Sequence, residues 1–107
     1  MTTEENRKWL EEEFELHGYE LWTVKPIIDV MIKDGFDMDG WTIQGQHHPQ
    51  IITFQHSDGK RYFDMYEESE GDWCPYYFRP EKPGDRAMMM YKASSIAEAA
   101  EKSKWPD

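Results

Sequence analysis

A two-layer α+β domain is the fold class the sequence predicts, and three observations predict it. Two N-terminal stretches place apolar residues at helical spacing, the middle of the chain alternates apolar and polar residues around Asp58-Gly59, and a Ser95/Glu98 pair opens a last helical segment. The expected arrangement is a three- or four-stranded antiparallel sheet with a central hairpin over 51–66, packed with two N-terminal helices and one C-terminal helix. A length of 107 residues fits a single acidic domain spanning 1–107.

Thr2 and Glu5 form a capping-box pattern, in which hydroxyl and carboxylate each satisfy a free backbone donor, so a helix is expected over 4–17. Leu10, Phe14 and His17 share its inward face, with Trp9 and Leu16 beside them, and Gly18 stops it. A second helix is expected from Thr23, with Pro26 in its first turn, an apolar stripe of Val24, Ile27, Ile28, Met31 and Ile32, and a stop at Gly35. Trp41–Gln44 reads as a short strand.

Residues 51–56 and 61–66 alternate on either side of Ser57-Asp58-Gly59-Lys60, and Asp-Gly suits a two-residue type I′ turn. That register pairs His56 with Arg61, Phe54 with Phe63 and Ile52 with Met65, which gathers the bulky apolar side chains on one face. Further strands are expected over 73–78 and 87–91, separated by turn residues from Pro80 to Gly84. Met88, Met89 and Met90 read as gap-filling core residues, and Cys74 as a small buried hydrophobe. Ser95 and Glu98 predict a second capping box and a helix to about Lys102.

The charge is lopsided. The chain holds 22 Asp and Glu against 12 Lys and Arg, for a formal net charge of −10, together with 16 aromatic residues of the Trp, Tyr and Phe types. Residues 1–20, 29–39 and 64–72 contain 16 of those acids and only 3 of the bases, so acidity is segregated along the chain. Nucleic acid is disfavoured as a direct ligand, because phosphate binding draws on Lys and Arg that displace counterions. Anionic membrane surfaces are disfavoured for the same reason, and no apolar run approaches the ~20 residues needed to cross a bilayer. A single cysteine cannot form an internal disulfide, and the first residues lack the pattern of a secretory leader, so a cytoplasmic setting is expected.

Chemical motifs are weak. His47, His48, His56 and Cys74 are metal-ligand types at spacings that match no metal motif, and Gly35–Gly40 carries alternating acids without the ends of a calcium loop. No metal or other cofactor is therefore expected. Asp64 with Glu67 or Glu68 is the nearest approach to a catalytic carboxylate pair, and a run of neighbouring acids reads better as a solvated face. The expectation is that the chain is not an enzyme.

Acids interleaved with aromatic residues suit a protein interface, where rings bury area and carboxylates meet Arg and Lys. The expected partner is a basic protein, a nuclease or another nucleic-acid-binding protein, whose basic groove is occupied by carboxylates standing in for phosphates. Glu11, Glu12, Glu15, Glu67, Glu68, Glu70 and Asp72 are the candidate anionic face, with Tyr66 and Trp73 as anchors. In size and acidity alone the chain resembles phage anti-restriction and anti-CRISPR proteins and bacterial immunity proteins. No motif connects it to any of them. The alternative is an acidic adaptor or assembly protein with an aromatic binding surface, followed by a small metal-dependent or carboxylate-based enzyme.

Overall fold

The computed structural model describes residues 2–80, 82, 84 and 86–103, with the backbone alone for 45–48. Helices α1 (Thr3–Leu16) and α2 (Leu21–Lys33) precede strands β1 (Trp41–His48), β2 (Ile51–His56), β3 (Tyr62–Ser69), β4 (Asp72–Pro80) and β5 (Met88–Lys92), and α3 (Ile96–Lys102) follows. The strands form one antiparallel sheet in chain order, β1-β2-β3-β4-β5. The architecture is α+β as expected, with five strands where three or four were foreseen. Each of the five lies on a segment foreseen as extended, and β1 runs past Gln44 to His48 because register shifts between Ile43 and Gly45 and between Gln46 and His48 break the alternation that a pattern reading follows.

The Thr2/Glu5 capping box forms, with Thr2 Oγ1 accepting from the Glu5 amide at 3.1 Å. The α1 stripe is narrower than expected: Leu10 and Phe14 are fully buried, while Trp9 and Leu16 face outward and His17 is the exposed C-cap. Gly18, at φ +85°, turns the chain so that the Tyr19 amide reaches the Phe14 carbonyl at 3.0 Å. α2 begins two residues before Thr23, behind Glu20, and Pro26 lies beyond its first turn. Proline there frees the carbonyl of Trp22, an exposed residue whose backbone water can reach.

The hairpin register is the expected one, with Ile52 opposite Met65 and Phe54 opposite Phe63, and the His56 amide donates to the Arg61 carbonyl at 2.9 Å. Its turn differs. No described non-glycine residue has a positive φ, which excludes type I′; instead the Gly59 amide closes on the His56 carbonyl at 3.0 Å with Gly59 at φ +72°. Asp58 finishes the loop by accepting from the Lys60 and Arg61 amides at 2.8 and 3.0 Å.

All three helices cover one face of the sheet. α1 lies along β1, α2 reaches β4 and α3 rests on β3 and β4. The core they enclose joins Leu10, Phe14, Ile27 and Met31 to Ile43, Ile52, Phe54, Phe63 and Met65, and Phe54 stacks on Phe63 with ring centroids 5.0 Å apart. Two polar side chains fasten the layers. Buried Asn6 donates to the Phe36 carbonyl and accepts from the Met38 amide at 2.6 Å, while Asp34 accepts from the Ile96 amide at 2.7 Å at the start of α3. At α3 only half of the predicted capping box forms: Ser95 Oγ accepts from the Glu98 amide, and the Glu98 carboxylate turns to Ser94 and Lys102.

No helix among the described residues lies over the opposite face of the sheet. Strand alternation places Thr53, Tyr62, Asp64, Tyr66, Glu68, Cys74, Tyr76, Met88 and Met90 there. None of the three methionines is buried, contrary to expectation: Met88 and Met90 are half-buried on the uncovered face and Met89 is 46% exposed at the sheet edge. Cys74 is likewise half-buried.

Candidate protein-binding surface

The nine candidate residues fall on two elements, α1 and the β3–β4 hairpin. On α1 the exposed side carries Glu12, Glu15 and, toward α2, half-buried Glu11. No hydrogen bond or ion pair among the described residues engages these three carboxylates. Of the bases on these two helices, Arg7 and Lys25 both pair with Asp29 at 3.0 Å, while Lys8, one turn before Glu11 and Glu12, is exposed and makes no ion pair among the described residues. That double pairing, through the Lys25 and then the Arg7 hydrogen bond, lowers the Asp29 pKa.

Apolar side chains stand among these acids. Trp9 is 53% exposed, Leu16 81% and Trp22, at the start of α2, 75%. Trp9, Glu12 and Leu16 are spaced i, i+3 and i+7 and so share one stripe of α1. Glu11 and Trp22 line a groove of about 200 Å³ between α1 and α2, with Leu21 and Ile28 in its wall. Sequence reasoning put Trp9 and Leu16 beside the core. The available signal was the company they keep: the same stripe holds Glu5 and Glu12, whereas the stripe of Leu10 and Phe14 is otherwise capped by Asn6.

The second group is tied into its own hairpin. Glu67 Oε2 accepts from the Gly71 amide at 2.9 Å and stabilises the turn. Glu68 lies on the uncovered face, where it accepts from the Tyr76 hydroxyl and pairs with Lys92 Nζ at 3.1 Å; Tyr66 packs edge-on against Tyr76 at 5.3 Å. The Tyr76 and then the Lys92 hydrogen bonds lower the Glu68 pKa. In return the Tyr76 hydroxyl is pushed up to about 12, first by burial and then by its bond to Glu68. Glu70 is exposed with no side-chain partner among the described residues, and Asp72 lies 3.9 Å from Cys74 Sγ. Trp73, expected as an anchor, is 7% exposed and belongs to the core, so it has no ring surface to offer a partner.

Glu68, Asp72 and Cys74 each bring a potential ligand atom within 4.8 Å of the others. The Lys92 ammonium already sits on Glu68, and burial, ahead of the Glu68 charge, raises the Cys74 thiol pKa, so the trio favours a protonated thiol beside an ion pair over a metal site. The side chains of His47 and His48, and Trp105, lie outside the described residues. His56 touches Arg61 at 3.0 Å and packs edge-on against Trp41. The Gly35–Gly40 segment is a turn in which Asp37 accepts from the Asp39 amide at 2.9 Å.

The candidate carboxylate pair is not assembled. Asp64 is 2% exposed beneath the uncovered face and accepts from the Thr53 hydroxyl at 2.5 Å. Glu67 points to the other side of the strand, and Glu68 lies four residues, about 13 Å, along it. A groove of about 420 Å³ is lined by Gln44, Thr53, Gln55, Tyr62, Asp64 and Phe78. No helix among the described residues is long and apolar enough to cross a membrane. Comparison with protein-family models, with curated proteins and with solved structures finds no match for the chain.

Proposed function

We propose that this chain is a non-enzymatic acidic binding protein that occupies the basic surface of another protein, a nuclease or other nucleic-acid-binding protein, and so blocks it. One observation carries the reading: on α1, carboxylates without a basic partner among the described residues (Glu11, Glu12, Glu15) are interleaved with exposed Trp9 and Leu16 and border Trp22. Unpaired surface carboxylates steer a cationic partner at long range, and apolar side chains between them bury area once contact is made. Of the β3–β4 acids, Glu67 and Glu68 are engaged locally and Glu70 stands open without an exposed apolar neighbour such as Trp9 or Leu16, which favours the α1 side as the contact surface.

The test is capture of partners from host-cell extract on the immobilised chain, with an E11K/E12K/E15K chain in parallel and duplex DNA as competitor. A basic nucleic-acid-binding protein should be retained, should be displaced by DNA or added salt, and should be lost on charge reversal. Retention indifferent to DNA, salt and charge reversal would overturn the reading in favour of an adaptor held by Leu16 and Trp22.

A further inference from the structure

We propose that the groove on the uncovered sheet face, floored by Asp64, binds a small organic cation, an ammonium or guanidinium group on a short apolar stem. Register sets four of its side chains in a square. Thr53 on β2 stands opposite Asp64 on β3, and two residues along the same strands Gln55 stands opposite Tyr62. Phe78 and Met88 carry the wall across β4 and β5, and Gln44 borders it on β1. The volume of about 420 Å³ falls in the range of small-molecule sites. The groove lies on the side of the sheet away from α1, so this site is separate from the proposed contact surface.

The hydrogen-bond inventory sets the chemistry of the ligand. Thr53 gives its one hydroxyl proton to Asp64, and Tyr62 gives its one to the Phe78 carbonyl at 3.2 Å. Both hydroxyls can offer a ligand only lone pairs, and an ionised carboxylate has capacity for about four donors. The Gln44 and Gln55 amides can turn either edge inward. A group rich in N–H donors satisfies this set, whereas a carboxylate or phosphate would meet oxygen lone pairs on three of the five polar side chains. Charge agrees with the donor count. The described lining residues include one carboxylate and no base. Burial, and then the Asp64 charge, raises the Tyr62 hydroxyl pKa, as a negative floor requires. Because Asp64 is buried, its pull on a cation is screened far less by salt than that of the exposed acids of α1. The half-buried Tyr62 and Phe78 rings and the Met88 thioether supply an apolar wall for the stem and a π face for the charge.

Titration of the full chain with n-butylammonium, followed by amide chemical shifts, tests the proposal, with butyrate as a similar stem of opposite charge. Butylammonium should move the amides of Thr53, Gln55, Tyr62 and Asp64 saturably, and butyrate should not. Asp64→Asn keeps an acceptor for Thr53 while removing the charge, and Gln44→Lys sets the chain's own ammonium at the rim. Each should weaken butylammonium binding about tenfold or more. If Asp64→Asn disturbs the fold, the exposed Gln44→Lys substitution decides alone. The proposal is overturned by the absence of a saturable shift, by an equal response to butyrate, by shifts spread over the acids of α1, or by undiminished affinity in Gln44→Lys. An E11K/E12K/E15K chain should bind butylammonium as the parent does, which separates this result from the partner-binding reading.

Discussion

Glu13 Oε1 accepts a hydrogen bond from the Ile43 amide at 3.0 Å, so a helix carboxylate closes an open donor of the edge strand β1. The same carboxylate lies 3.4 Å from His17. One glutamate of an acidic run is therefore structural, while its neighbours at 11, 12 and 15 are spent on nothing inside the fold. Glu13→Ala should cost about 1–3 kcal/mol in urea unfolding, the range for losing a charged acceptor from a partly buried amide. Glu13→Gln, whose amide oxygen still accepts, should recover most of that loss.

Trp9 and Leu16 separate binding from folding. Replacing either by Ala should change stability by no more than about 0.5 kcal/mol, as for ordinary surface sites, yet weaken partner binding. Trp73→Ala should instead destabilise by about 3–5 kcal/mol, because it hollows the core. Thermal melts of the three variants, run before any binding assay, check the assignment.

Gly40 and Gly18 share a left-handed backbone, at φ +83° and +85°, but not their surroundings. A Cβ on Gly40 would lie 2.7 Å from His56 Nε2, whereas nothing stands within 4 Å of one on Gly18. Gly18→Ala should cost about 1–2 kcal/mol, the strain of a left-handed L-residue, and Gly40→Ala clearly more. Adding His56→Ala should recover part of the Gly40→Ala loss in a double-mutant cycle.

Tyrosine titration should be split. Burial raises Tyr19 and Tyr62, and burial with the Glu68 bond takes Tyr76 to about 12, so three of the six tyrosines should ionise late by tyrosinate absorbance. A folded pKa above the unfolded value of about 10 means that the associated stability is complete below pH 10 and is lost as pH rises toward 12. Glu68→Gln should move Tyr76 earlier without normalising it, because burial is the larger cause. At the acid end the sign reverses: Glu68, Asp29 and Glu98 are lowered, so what they contribute is present above about pH 4.3 and fades as pH falls below it.

The β2–β3 pairing could be read from residues alone, because strict alternation around a four-residue loop leaves one register that keeps Phe54 and Phe63 together. The helix caps were legible for a similar reason, since Thr2 and Ser95 act on amides three residues away. What could not be read depends on neighbours far along the chain. A helical wheel shows that Trp9 lies 100° from Leu10 but not that α2 and β1 leave that side open. Met88, Cys74 and Phe78 have the composition of core residues, yet they fall on the face that receives no helix. Trp73 looked like an anchor because acids precede it, and pairing opposite Glu67 at the end of β3 turned it under the helical layer.

The order β1-β2-β3-β4-β5 means that every strand bonds to the one made just before it. A chain emerging from the ribosome can zip hairpin by hairpin without waiting for a distant segment, which places folding toward the faster end for a sheet protein. The helical layer obeys a different schedule. Ile96, Ala99 and Ala100 come last and sit over β3 and β4, so the apolar underside of those strands stays uncovered until α3 is synthesised. Nascent chains paused before residue 96 should be the ones that chaperones hold.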